Sequence, residues 1–356
     1  MIPVTKPFFP NSDAYKRYID QIWANEWITN NGYFVKKFES ELGKELNTQN
    51  PILVSNGTIA IQMCIKALNL TGEIITTPFT YVATTSSIVW ENCKPVFADI
   101  DENTLNIDPS KVESLVSGKT SAIIATHCFG NACDIEALVS ICDKHGIALI
   151  FDAAHCFGTL YNGKSIFEFG DLSTCSLHAT KLMHCGEGGL IFSNNTDKYE
   201  QLKYIRNFGH DGPENFHGLG INGKTSELHA ALGLCVLEEL PAILSSRKKQ
   251  SEIYDDLLQG LEVTRPIVSA KCEPNYSYYP IIFPTMEACL KARDLLADSG
   301  IQARRYFFPS LNKLNYIEAQ EVPSSESISS RILSLPLYFN LPFEIQKQIA
   351  GTLMSM

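Results

Sequence analysis

The sequence predicts an α/β protein: a large domain on a mostly parallel seven-stranded sheet, followed by a smaller α+β domain. Two observations carry this. Between Pro51 and Asn195, short β-rich runs alternate with helix-period segments at roughly 20 to 30 residue intervals, the pattern of parallel strands joined by covering helices. After about Val236 the pattern changes to an α+β mixture. The length of 356 residues, at roughly 150 per domain, suits two units. They are expected at 14–236 and at 237–356 together with 1–13.

Element by element, the first strand is expected at Ile52–Val54. The helix after it shows Ala60, Met63, Cys64, Ala67 and Leu68 at i, i+3, i+4, i+7 and i+8, one apolar face turned inward. Strands follow at Glu73–Thr77, Pro95–Ala98 and Ser121–Thr126. Ile135, Leu138, Val139 and Cys142 repeat the helical spacing, and the remaining strands are Ala148–Phe151, Thr174–Leu177 and Gly189–Phe192. In the second domain a strand is expected at Tyr278–Phe283 and a helix from a Thr285 cap to Gly300. No internal repeat, low-complexity tract or linker separates the parts, so they are expected to pack closely.

Apolar residues at 45% and charged residues at 19% mark an ordinary folded protein and exclude disorder for the bulk. The net charge of −10 has the wrong sign for binding nucleic-acid phosphates and favours a small-molecule partner. No apolar run approaches the ~18 to 20 residues of a membrane span, and the start lacks the apolar segment of a secretory signal. A cytoplasmic location is expected, with no membrane partner. The eleven cysteines are odd in number, scattered and never paired as C-x-x-C. Cys64, Cys142 and Cys235 sit among apolar neighbours, so the set reads as reduced core residues, and no metal is expected.

Ligands of open α/β sheets sit outside the carboxyl ends of the strands, so the chemistry is sought just after each strand. Ser55-Asn56-Gly57-Thr58 opens a helix, offering N–H groups, a hydroxyl and the positive dipole end to a phosphate. Read alone, Thr58 is first a cap behind an Asn-Gly turn. Pro78-Phe79-Thr80-Tyr81 puts aromatic rings at a strand end, where one can lie flat on a planar cofactor or join the core. Asp152-Ala153-Ala154-His155 places a carboxylate where an apolar strand opens to the cleft, either to cap a helix or to meet a protonated ring nitrogen. Ser176-Leu177-His178-Ala179-Thr180-Lys181 then leads to Gly186-Glu187-Gly188-Gly189. A lone Lys there is commonly solvated, whereas a Lys held in an apolar cleft becomes the amine that forms Schiff bases. The set decides between these readings. A phosphate loop, an aromatic plate, an acid and a lysine, in that order after successive strands, describe a pyridoxal-phosphate site.

On these motifs the chain resembles the fold-type-I pyridoxal-phosphate sugar aminotransferases of the DegT/DnrJ/EryC1/StrS family. The resemblance starts at Trp27-Ile28-Thr29-Asn30-Asn31-Gly32 and Phe38-Glu39 and passes through the segments above. It continues to Gly220-Ile221-Asn222-Gly223-Lys224-Thr225-Ser226-Glu227 and ends near Leu333-Ser334-Leu335-Pro336. It implies that Lys181 takes the cofactor aldehyde, that Asp152 pairs with the pyridine nitrogen, and that Tyr81 stacks on the ring. His155 would lie near the phenolic oxygen, and Thr58, the backbone at Gly57 and Ile59, and Ser176 would hold the phosphate. It also implies a homodimer with shared active sites, Asn222 reaching the neighbouring subunit's phosphate. Leu177 stands where an aromatic is more usual, and Tyr33-Phe34 where a Gly is commonly followed by Pro; neither touches a chemical group.

The segment Arg304-Arg305-Tyr306-Phe307-Phe308-Pro309 looks most like the subgroup that aminates C4 of dTDP-4-keto-6-deoxyglucose to the viosamine nucleotide, for surface polysaccharide such as O-antigen. The implied reaction passes an amino group from L-glutamate, with pyridoxal 5'-phosphate and pyridoxamine 5'-phosphate as the two cofactor forms. Thr29, Asn31, His178, Glu187, Lys224, Arg305 and Tyr306 are the substrate-binding candidates, with Arg304 and His210 as further cations for the diphosphate. The rival readings are a C3 aminotransferase on a dTDP-3-keto-6-deoxyhexose and a cofactor-binding regulator without turnover. A related sugar dehydratase would carry His in place of Lys181, and a dinucleotide-binding oxidoreductase would need a G-x-G-x-x-G that follows no strand in the first half.

Overall fold

The computed structural model describes residues 1–356. Its first strands are β1 (Ile52–Val54), β2 (Glu73–Thr76), β3 (Lys94–Phe97), β4 (Thr120–Thr126) and β5 (Ala148–Asp152). An excursion through the two-residue strands β6 (Leu160–Tyr161) and β7 (Lys164–Ser165) leads to β8 (Leu172–Ser176) and β9 (Gly189–Phe192). The main sheet has seven strands in the order β1-β9-β8-β5-β4-β2-β3. Only β9 runs against its neighbours; the other pairs are parallel. All seven expected strands are in it: β1 and β9 have the expected bounds, and the ends of the other five move by at most two residues. β8 starts before its expected Thr174 because Leu172 and Ser173 pair with Ile150 and Phe151.

Side chains alternate across a strand, and here both faces are buried. Ile52, Val54, Ile74, Ile124, Ile150 and Ile191 face one way, against Ala60, Met63, Cys64 and Ala67 of the helix Gly57–Ala67. Their neighbours Leu53, Ile75, Ile123, Leu149, Phe151 and Leu190 face the other way, against Leu138 and Cys142 of the helix Ile135–His145 and Ala230 and Leu234 of Glu227–Leu237. The helical faces expected from spacing are therefore the ones that pack. All eleven cysteines are buried and unpaired. No single helix is long and apolar enough to cross a membrane.

The chain then folds β10 (Cys272–Glu273) onto β6, and pairs β11 (Tyr279–Ile282) with β12 (Ile332–Leu335) in antiparallel fashion. Thr285 caps the helix Met286–Asp298, its hydroxyl accepting from the Ala288 N–H at 3.1 Å. A further apolar cluster gathers Tyr279, Ile281, Leu296, Leu333 and Leu353. The helix Leu240–Leu257 spans the two regions, with Leu240 and Ile243 in the core of the large sheet and Tyr254 in this later cluster. The N-terminal residues join the later part, Ile2 N–H donating to Gly300 C=O at 2.8 Å and Leu337 N–H to Val4 C=O at 3.1 Å.

Candidate active site

A cleft of about 590 Å³ opens at the carboxyl ends of β5 and β8. Asp152, the last residue of β5, is buried there and forms no salt bridge. One carboxylate oxygen accepts from Thr84 Oγ1 at 2.6 Å and the other from the Ala154 N–H at 3.1 Å. Thr84 Oγ1 lies 3.3 Å from Thr80 Oγ1, which lies 3.0 Å from Thr126 Oγ1. Each hydroxyl has one proton, and Thr84 spends its own on the carboxylate. Thr80 must then donate to Thr84, and Thr126 to Thr80, so the whole chain points at Asp152. Burial raises the Asp152 pKa above its ordinary value, opposed by those hydrogen bonds and by Lys181.

His155 is buried beside it, lying parallel to the rings of Phe129 and Phe307 at centroid distances of 6.2 and 5.8 Å. Its Nδ1 accepts from the Phe129 N–H at 3.3 Å, which leaves the proton on Nε2. Burial, then the charge of Lys181, pushes its pKa well below the ordinary value, so it is a neutral donor. Lys181 stands in the turn after β8, its Nζ 3.4 Å from Tyr278 Oη.

The loop after β1 is held in shape by Asn56, whose Oδ1 accepts from the Ile59 N–H at 2.9 Å. That leaves Gly57 and Thr58, at the first turn of the helix, with N–H groups that have no intrahelical acceptor. Two close approaches seat this loop. A Cβ on Gly57 would come within 3.2 Å of Ser176 Cβ, and one on Gly189 within 2.5 Å of Asn56 C=O.

Gly57, Thr58, Ile59, Tyr81, Asp152, His155, Ser176 and Lys181 all line this one cleft, as do His178, Glu187 and Tyr306. Ile59 differs from expectation, since its N–H is already engaged by Asn56. His178 Nδ1 accepts from the Thr180 N–H at 3.2 Å, so its other nitrogen carries the proton toward Glu187, 3.5 Å away. Arg305 is turned away: its guanidinium lies 3.4 Å over the Phe308 ring and donates to the Ser330 carbonyl. Arg304, one residue earlier on the alternating backbone, is the arginine that lines the cleft. Thr29, Asn31, Asn222, Lys224 and His210 lie outside it. Lys224 Nζ sits 4.6 Å over Phe208, Asn222 bridges to Asn207, and His210 packs on Phe216.

Sequence reading missed Thr84, the direct partner of Asp152, and Tyr278, the partner of Lys181. Thr84 lies inside a helix and Tyr278 just before β11, so neither occupies the strand-end position that singled out the others. The donor set fits pyridoxal phosphate. A buried carboxylate with no salt-bridge partner suits a protonated ring nitrogen, free N–H groups at a helix start suit a phosphate, and a lysine amine faces the same cleft.

The DegT/DnrJ/EryC1/StrS aminotransferase family model matches residues 11–354. The chain is 38% identical to the dTDP-4-amino-4,6-dideoxy-D-glucose transaminase of Shigella dysenteriae, across 98% of this chain and 97% of that one. It is 34% identical to the Escherichia coli protein of the same name, across 99% and 98%. Among solved structures, that of DesI with its TDP-sugar product superposes with a TM-score of 0.93 at 29% identity, covering 99% of this chain and 92% of DesI.

Proposed function

The chain belongs to the DegT/DnrJ/EryC1/StrS aminotransferase family, and from that premise we propose that it transfers the amino group of L-glutamate to C4 of dTDP-4-keto-6-deoxy-D-glucose, using pyridoxal 5'-phosphate. The product would be dTDP-4-amino-4,6-dideoxyglucose, a precursor for surface polysaccharide. The substrate reading rests on the two transaminases of that name, matched over nearly their whole length.

When bound, the cofactor supplies an aldehyde carbon that carries the amino group and a ring that takes up electrons. Lys181 would hold that aldehyde and, once freed, move the proton at the substrate carbon with its Nζ. Asp152 would hold the ring-nitrogen proton, kept acceptor-only by the inward-pointing Thr84 hydroxyl and the Ala154 N–H. His155 would donate its Nε2 proton to the phenolic oxygen, and Tyr81 would cover the ring. The Gly57 and Thr58 N–H groups with the Thr58 and Ser176 hydroxyls would take the phosphate. Arg304 would meet the substrate diphosphate. In this reading 14–236 is the cofactor-holding unit and 237–356 with 1–13 the smaller one.

The enzyme would act as a homodimer, Asn222 serving the partner's phosphate. Asn222 is exposed and lies outside its own chain's cleft, while Phe208, Phe216, Leu219 and Ile221 near it expose apolar surface of the kind a second copy covers. The observation that carries the proposal is Asp152 and Lys181 facing one cleft in a chain of this family. Incubation with L-glutamate and dTDP-4-keto-6-deoxyglucose should yield the 4-amino sugar. Amination of a 3-keto isomer with the 4-keto compound inert would overturn the choice of substrate.

A further inference from the structure

Tyr278 lies in none of the chemical motifs, yet its hydroxyl is the hydrogen-bond partner of Lys181 Nζ. Its backbone is fixed from behind by buried groups. The neighbouring Ser277 hydroxyl donates to His155 C=O at 2.7 Å, Asn275 Nδ2 donates to the same carbonyl at 2.8 Å, and buried Arg247 donates to Ser277 C=O at 2.9 Å. The first two bonds tie the segment leading into β11 to the loop after β5 that carries His155, and the third ties it to the helix Leu240–Leu257. The Tyr278 ring is held in turn by His155 at 4.7 Å and Tyr306 at 5.5 Å. Lys181 therefore meets a hydroxyl whose position is set by its own chain. Beside the pair is a side cavity of about 10 Å³, close to the size of one water, also lined by His155, Thr180 and Ser277.

We propose that Tyr278 is the positioning residue for Lys181: its hydroxyl oxygen accepts an N–H of the free lysine and parks Nζ at the edge of the cleft whenever the lysine is not holding the aldehyde. The inference rests on the proposed role of Lys181. A flexible four-carbon side chain has many rotamers, so an acceptor that selects the one facing the cleft raises the fraction ready to react without touching either substrate. Tyr278→Phe keeps the ring and its packing and removes only that acceptor.

In the cofactor-free full-length protein, Tyr278→Phe should make cyanate carbamylation of Lys181, read by peptide mass spectrometry at pH 8, at least about threefold slower, because Nζ is no longer held in the rotamer that faces the cleft. The other lysines serve as internal controls and should not change. In the cofactor-loaded protein, kcat should fall about tenfold with both KM values within about twofold of wild type. The melting temperature should stay within about 2 °C. Unchanged Lys181 labelling together with unchanged kcat would overturn the proposal, and so would acceleration at every lysine with a lowered melting temperature. Borohydride reduction of the loaded wild type separates the two levels. If it fixes no pyridoxyl group on Lys181, the proposed function fails and this inference with it; if it does, a silent Tyr278→Phe removes Tyr278 alone.

Discussion

Asp152 ends β5 with both carboxylate oxygens accepting hydrogen bonds and no salt-bridge partner, and burial lifts its pKa. A cationic ring nitrogen would reverse that cost. Asp152→Asn should therefore leave the fold intact, cut turnover by about 100-fold or more, and reduce the rise in melting temperature that pyridoxal phosphate gives the wild type. Steady-state kinetics and thermal melts with and without cofactor read both effects, and full turnover in the variant would remove Asp152 from the chemistry. The two adjacent arginines allow a sharper comparison. Arg304 lines the cleft while Arg305 is spent on Phe308 and the Ser330 carbonyl. Arg304→Ala should raise the KM for the nucleotide sugar about tenfold and leave that for glutamate nearly unchanged, whereas Arg305→Ala should barely move either. The reverse order would restore Arg305 as the diphosphate cation.

The strand-end loops depend on one another through backbone contact. Gly189 opens β9 and is pressed against the loop before the helix Gly57–Ala67, where an added methyl would lie 2.5 Å from Asn56 C=O and 2.8 Å from Gly57 N. Gly189→Ala should push that loop aside and weaken pyridoxal-phosphate binding about tenfold or more while the sheet survives, as measured by equilibrium dialysis and circular dichroism. Undiminished affinity would show that this loop does not hold the phosphate. The seven strands, the helical faces and most cleft residues were legible because each has a local signature: alternation, a 3.6-residue period, or a polar residue at a strand end. Thr84 and Tyr278 have none, since their roles exist only once a helix and a segment distant in sequence are brought to β5 and β8. The pairing of β10 with β6 escaped for the same reason: two residues on each side are too few for a period. The choice between Arg304 and Arg305 turned on one residue of backbone alternation, which depends on where an element starts.

The whole molecule buries several histidines as neutral rings. Burial pushes His127 down to about 3, His155 well below its ordinary value, and His184 down as well. The unfolded chain protonates all three below about pH 6.5, while the folded chain resists, so stability is full above that pH and lost as pH falls. Urea unfolding should show the loss steepening between pH 6.5 and 5 toward about 1.4 kcal/mol per pH unit for each of His127 and His155, and a flat profile there would contradict their buried neutral state. The assembled cleft itself is tested most directly by reducing the cofactor-loaded protein with borohydride and mapping its peptides by mass spectrometry. A pyridoxyl group on Lys181, and on no other lysine, is the predicted result. A protein that takes up no pyridoxal phosphate, or one labelled elsewhere with Lys181 unmodified, would contradict the account.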